Sequence, residues 1–160
     1  MFITESKTTY NLIILKTNGY ELKFYLGVAE NHFLDAEIEF SVKPELLQRV
    51  FVKSKKIKIS FDDLRRLINY FRNHMQSLKV DANHESYTFT DYNLVYQIQA
   101  LCGFISSNTE ESYFSIISMI NVGKINPSSD STYIGGESTI SFNQVENFII
   151  SLENLLSYQC

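Results

Sequence analysis

Ile140-Ser141-Phe142-Asn143 restates, late in the chain, the tetrapeptide Ile59-Ser60-Phe61-Asp62, and each opens a run with helical spacing. The offset is 81 residues (141 − 60), about half of the 160 present. Self-similarity at such a period predicts two copies of one supersecondary unit packed together. After Ser60, the apolar residues Leu64, Leu67, Ile68, Phe71, Met75 and Leu78 step by three and four, so they share one side of a 3.6-residue helix. Val145, Phe148, Ile149, Leu152, Leu155 and Leu156 form a matching stripe. At the 81-residue offset, Leu64, Leu67, Ile68, Phe71 and Met75 fall on Val145, Phe148, Ile149, Leu152 and Leu156.

The two starts share their chemistry. Ser60 and Ser141 are placed to accept from a backbone N–H of the first turn, and Asp63 and Gln144 stand three residues later, so both are expected to be capping boxes. Ile59 and Ile140 precede the caps, where each can staple to Leu64 or Val145.

Upstream of each helix the period falls to two. Leu34, Ala36, Ile38, Phe40 and Val42 alternate with Asp35, Glu37, Glu39 and Ser41, the pattern of a strand with one wet face. Runs 10–16 and 20–28 flank Thr17-Asn18-Gly19, where Asn-Gly predicts a tight hairpin through positive φ. His32 is expected to begin the next strand, and Pro44 to open a short helical turn over 44–49. In the second half, 87–90 and 94–104 flank Asp91-Tyr92-Asn93, with Tyr96, Ile98, Ala100 and Cys102 expected on one apolar side. Residues 113–122 read as a further strand, and Gly135-Gly136 as a bulge or turn before the strand that reaches Ser141.

The class is therefore α+β: two tandem pseudo-symmetric repeats, at about 8–79 and 85–158, each an antiparallel β-meander of three to four strands followed by one long amphipathic helix. Units of about 80 residues bury a poor fraction of their surface, and no Gly/Ser/Pro-rich linker lies between them, so a single domain is expected.

Composition is that of an ordinary globular chain, 44% hydrophobic and 20% charged. The polar start and short apolar runs predict neither a secretory signal nor a membrane span, and a cytoplasmic location. Cys102 and Cys160 are expected to be free thiols.

Histidine supply tests for catalysis, and the chain offers only His32, His74 and His84. His74 lies off the apolar stripe of its helix and is expected at the surface or its boundary, as is His32. Asp81, His84 and Glu85 have ligand chemistry but sit in the connector between the repeats, where a solvated loop is expected. No H-E-x-x-H, paired C-x-x-C, nucleophile elbow, P-loop or dinucleotide fingerprint occurs, so no catalytic, cofactor-binding or metal-ligating set is expected. Asp62-Asp63 complements a helix N-terminus, and Glu110-Glu111 reads as a solvated pair. Most of the tyrosines are expected in the core, with Tyr113, Tyr133 and Tyr158 as surface exceptions.

Charge divides the halves. Up to residue 80, 13 Lys and Arg face 9 Asp and Glu, giving +4; beyond it Lys124 alone faces 9 acids, giving −8. An acidic second half predicts a basic protein partner, steered by complementary charge; the plainer alternative is that the halves attract each other. Lys53, Lys55, Lys56, Lys58, Arg65, Arg66 and Arg72 form a possible phosphate grip, but the pI near 5.4 speaks against a dedicated nucleic-acid binder.

The sequence thus predicts a non-enzymatic binding protein of the bacterial immunity or inhibitor kind, occluding a toxin or effector. Glu110, Glu111, Tyr113, Asp130, Tyr133 and Glu137 are the expected partner contacts. The alternatives are a small-ligand or nucleotide-related enzyme with a site between the repeats, and a structural homo-oligomer.

Overall fold

A computed structural model describes residues 10–42, 45 and 48–158. The chain runs β1 (Asn11–Lys16), β2 (Glu21–Glu30), β3 (Phe33–Val42), β4 (Val50–Lys53), β5 (Ile57–Ser60), α1 (Phe61–Leu78), then β6 (Phe89–Thr90), β7 (Tyr96–Phe104), β8 (Tyr113–Gly123), β9 (Thr132–Ser141) and α2 (Phe142–Ser157). It is an α+β fold of two antiparallel sheets, in which each helix follows its strands without a break. The expected turn over 44–49 and Cys160 lie outside the described residues or are only partly covered by them.

The first sheet has five strands, not the three to four expected, and is not a plain meander: its order is β1-β2-β3, with β4 and β5 both on the far side of β3, and Ser54 fills the gap between them, its N–H donating to Ile38 O and its hydroxyl accepting from Ile38 N. The second sheet is a meander, β6-β7-β8-β9. Leu34, Ala36, Ile38 and Phe40 are buried as expected in β3, but the expected wet face fails at its end, where Glu39 and Ser41 are buried as well because β4 and the ion pairs of Lys23 and Arg49 cover them. All twelve stripe residues of the two helices are buried too. The rings of Phe24 on β2, Tyr96 on β7 and Phe148 on α2 meet at 5.4 and 5.5 Å, and Phe71 on α1 reaches Phe148 at 6.0 Å. Two sheets and two helices therefore share one aromatic centre.

Several local expectations give way to geometry. Neither Asn18 nor Gly19 has positive φ; the loop 17–20 is closed by Thr17, whose hydroxyl accepts from Tyr20 N at 2.9 Å. Positive φ occurs instead one hairpin later, at Asn31 (50°) and His32 (65°), the two residues joining Glu30 to Phe33, and in the second half at Leu94 (57°) and Gly123 (89°). Asn31-His32 is the left-handed two-residue turn that suits the twist of a hairpin, so His32 is a turn residue and does not begin a strand. The strand over 87–90 shrinks to Phe89–Thr90.

Cys102 is exposed, not on the apolar side. Ala100 pairs with Ile116 but Gly103 with Phe114, three steps against two, and the extra residue of this bulge reverses the alternation. Gly135 and Gly136 make neither bulge nor turn: both lie inside β9 in unbroken register with Met119 and Ser118. A Cβ at Gly135 would stand 1.9 Å from Ser118 O, and one at Gly136 3.3 Å from the Phe40 ring of the first sheet. Glycine is there for close approach, strand to strand and sheet to sheet.

Only one capping box forms. Ser141 accepts from Gln144 N while Gln144 Oε1 accepts from Ser141 N at 2.8 Å. Ser60 accepts from Asp63 N, but the Asp63 carboxylate turns away to Arg66 on its own helix and to Tyr92 N in the second half.

Phe24→Ala is expected to lower stability by about 3–5 kcal/mol and to shift one cooperative urea transition read by far-ultraviolet circular dichroism. Two resolved transitions in the parent protein would show that the halves melt independently.

Candidate partner-binding surface

Besides its apolar stripe, α1 carries a polar one: Asp63, Arg66, Tyr70 and His74, spaced by three, four and four. Every member reaches into residues 84–100. Asp63 Oδ2 accepts from Tyr92 N at 3.1 Å while Oδ1 pairs with Arg66. Arg66 lies over the Phe89 and Tyr92 rings at 5.0 and 4.2 Å and donates to Thr90 O. The Tyr70 hydroxyl donates to Tyr87 O at 2.9 Å and accepts from Ala100 N at 2.8 Å. His74 Nδ1 shares a hydrogen bond of 2.9 Å with Ser86 Oγ, and its ring packs on Phe114 at 4.6 Å.

His74 is thus fully buried, against the expectation of a surface position. The residues flanking an apolar stripe are exposed only if nothing covers them, and here the connector and β7 do. Burial, then the neighbouring His84 imidazole, draws its pKa down from 6.5 to about 4, with the Leu101 backbone acting in the opposite direction. His84 Nε2 lies 3.4 Å from the same Ser86 hydroxyl. Burial also raises Asp63 and Asp91 above the ordinary carboxylate range, and Asp91 is held by the N–H groups of Asn93, Val95 and Tyr96. Among the described residues no group of three or more His, Cys, Asp or Glu is arranged to hold a metal ion.

The basic cluster is engaged only in part within its own half, since Lys55, Lys56 and Arg65 make no ion pair among the described residues. Lys53 pairs with Glu37, Lys58 with Asp35 and Glu30, and Arg66 with Asp63. The buried Glu39 takes Lys23 and Arg49. One ion pair crosses between the halves, Arg72–Glu153 at 2.7 Å, on the edge of a hollow of about 310 Å³ between α1 and α2 that Arg65 and Asn69 also line. Mutual attraction of the halves therefore takes up little of the acidic excess. Asp81, Glu85, Glu110, Glu111, Asp130, Glu137 and Glu146 are exposed and make no ion pair among the described residues.

The six expected contact residues belong to one ribbon but do not gather at one point. Glu110 and Glu111 form a short 3-10 turn (Thr109–Glu111) just before β8, and Tyr113 is the first residue of that strand. Tyr133 and Glu137 lie on β9, and Asp130 in the loop before it. The register sets Tyr113 opposite Ser141 and Tyr133 opposite Asn121, eight steps along β8, or about 26 Å at the usual rise per residue. Tyr113, Tyr133 and Glu137 share the outward side of the second sheet, because the intervening Phe114, Ile116, Ile120 and Ile140 are buried. Tyr158, the third expected surface tyrosine, is exposed at the end of α2, remote in sequence from this ribbon.

No family model matches the chain, and no curated protein matches it. Among the described residues, no helix is long and apolar enough to cross a membrane.

His74 takes up its proton in the unfolded chain near 6.5 and in the folded one only near 4. Its contribution is therefore fully present above pH 6.5 and lost as pH falls toward 4, by about 3 kcal/mol at one pKa unit per 1.36 kcal/mol. Asp63 and Asp91, with raised values, act with the opposite sign just above 3.8. Urea unfolding at pH 7.5 and 5 is expected to show a smaller acid loss in His74→Leu than in the parent protein; equal losses would remove His74 from this role.

Proposed function

We propose that the protein is a non-enzymatic binding protein that captures a basic protein partner with its acidic second half, in the manner of a bacterial cytoplasmic immunity or inhibitor protein blocking a toxin or effector. One observation carries this reading: seven of the nine acids beyond residue 80 are exposed and make no ion pair among the described residues, and Lys124 is the one lysine or arginine in that half. A surface left with uncompensated negative charge attracts cationic macromolecules and speeds their encounter.

The halves are further read as copies of one sheet-plus-helix unit. Their element orders run in parallel, and their helix caps, Ser60 (φ −78°, ψ 152°) and Ser141 (φ −79°, ψ 155°), have the same backbone conformation. On that reading one copy specialised in docking its sister, through the polar stripe on α1, and the other in docking a partner. At the 81-residue offset the stripe residues Asp63, Arg66, Tyr70 and His74 become Gln144, Asn147, Ser151 and Leu155, so α2 has lost or never had that stripe.

The test is co-expression with the protein encoded by the adjacent reading frame. That product is expected to arrest growth alone and to be neutralised by the parent chain. A Glu110→Lys, Glu111→Lys, Glu137→Lys triple variant is expected to lose the rescue while keeping its urea stability within about 0.5 kcal/mol, as exposed substitutions do. Full rescue by the triple variant rejects the acidic surface, and a harmless neighbour rejects the immunity assignment.

A further inference from the structure

Pairing partners and alternation define the outward side of the second sheet row by row. Phe104 stands opposite Tyr113, which stands opposite Ser141. Gln99, Ile117 and Glu137 form a central row, and Gln97, Met119 and Gly135 the next. Asn121 and Tyr133 close the face. No residue named in these rows is buried: Ile117, Met119 and Tyr133 are half-covered, Glu137 and Gly135 are exposed, and Phe104 and Tyr113 stack at 5.7 Å while 52% and 43% exposed. Both helices and the first sheet pack on the opposite side, where Phe114, Ile116, Ser118 and Ile120 are buried.

This face combines features that a solvated sheet surface does not need. Its middle is apolar, Ile117 beside Met119, while its single central charge, Glu137, makes no ion pair. Gly135 lies between Glu137 and Tyr133 on the same side of β9 and leaves the backbone bare there, since a Cβ would meet the neighbouring strand. Met119 pairs with this bare position, and Glu137 and Tyr133 stand two residues to either side of it on the same side of the strand. A guanidinium fits such a frame: its planar face stacks on an aromatic ring, its donors pair with a carboxylate, and its stem covers apolar surface. Acidic residues lie near both ends of the face, Glu111 two residues before Tyr113 and Asp130 three before Tyr133, whereas Glu110 lines a hollow with Met75, Lys79, Phe142 and Glu146 on the helix side; Lys124 is the one lysine or arginine after residue 80. The length of the face, about 26 Å, is close to the width of a standard interface of about 800 Å² per partner.

We propose that the outward face of the second sheet is the docking surface for a basic protein, with an arginine of that protein seated over Gly135 between Glu137 and Tyr133. This rests on the reading of the protein as a binder of basic partners and adds to it a place, an anchor residue and an apolar centre. Negative charge at the middle and both ends disfavours a second copy of the chain as the occupant, because like charges would oppose one another.

The test is a chemical-shift titration of the ¹⁵N-labelled full chain with an arginine–glycine repeat peptide, with a glutamate–glycine peptide of the same length as control. The arginine peptide is expected to move the amides of Gly135, Glu137, Met119 and Tyr133 most. Its affinity is expected to fall about 5–10-fold in Glu137→Gln, with an unchanged thermal midpoint, and to weaken with added salt. Largest shifts at Asp81 and Glu85, or at Glu110 and Glu146 alone, overturn this surface while leaving a basic partner in place. Equal response to both peptides, or to neither, overturns the basic partner as well. Shifts on this face that depend on protein concentration without peptide assign it to a second copy and overturn the proposal.

Discussion

The structure depends on a helix that is wanted on two sides. The apolar stripe of α1 closes the core with α2, and its polar stripe of Asp63, Arg66, Tyr70 and His74 receives residues 84–100 of the second half. A hydrophobic contact alone would leave the second sheet free to slide, since burial of apolar area has no direction. Hydrogen bonds at fixed points along the helix, each with a backbone or hydroxyl partner, set its position. They also explain why Asp63 abandons its expected capping role: a carboxylate has few acceptor sites, and Arg66 and Tyr92 N take them. The cost of that choice is local, about a single capping interaction, while the gain joins two halves.

Placing the second half in this way decides which of its surfaces meet water. The inward side of its sheet is committed to α1, α2 and the first sheet through Phe114, Ile116, Tyr20 and Phe40. Its outward side is left uncovered. Because the seam takes Asp91 and the α1–α2 contact takes Glu153, the other acids of this half remain at the surface with little to neutralise them. In the first half Lys23, Arg49, Lys53, Lys58 and Arg66 fold back onto Glu37, Glu39, Asp35 and Asp63, while Lys16, Lys55, Lys56, Arg65 and Lys79 make no ion pair among the described residues. The same formal charge counts would have been compatible with ion pairs between the halves; geometry chose ion pairs within the first.

What could be read from the residues and what could not separate along one line. Periodicity over a long window survives tertiary context, so both apolar stripes and the apolar side of β3 were legible, while the burial of Glu39 and Ser41 on its other side was not. Turn and bulge positions were less so: Asn18-Gly19 has the right chemistry for positive φ, yet the loop is closed by the Thr17 hydroxyl and the left-handed turn is at Asn31 and His32. A single added residue between Ala100 and Gly103 moved Cys102 from the expected inside to the outside. The polar stripe left a faint signal in the spacing of Asp63, Arg66, Tyr70 and His74, but polar residues at helical intervals also describe an ordinary wet flank. The expected contact residues were found on a common ribbon, spread along its length, and their apolar neighbours Ile117 and Met119 were passed over because alternation alone does not say which side of a sheet is covered.

The sequence by itself determined the α+β class, the two helices that follow strands, their buried stripes and the sign of the charge in each half, since these follow from local spacing and composition; the five-stranded first sheet did not follow from it. Tertiary structure alone decided that His74 is buried, that Lys23, Arg49, Lys53, Lys58 and Arg66 are engaged by acids of their own half, and that one side of the second sheet faces solvent. Those outcomes depend on which residues far apart in the chain are brought within a few ångströms, and no local pattern encodes that distance.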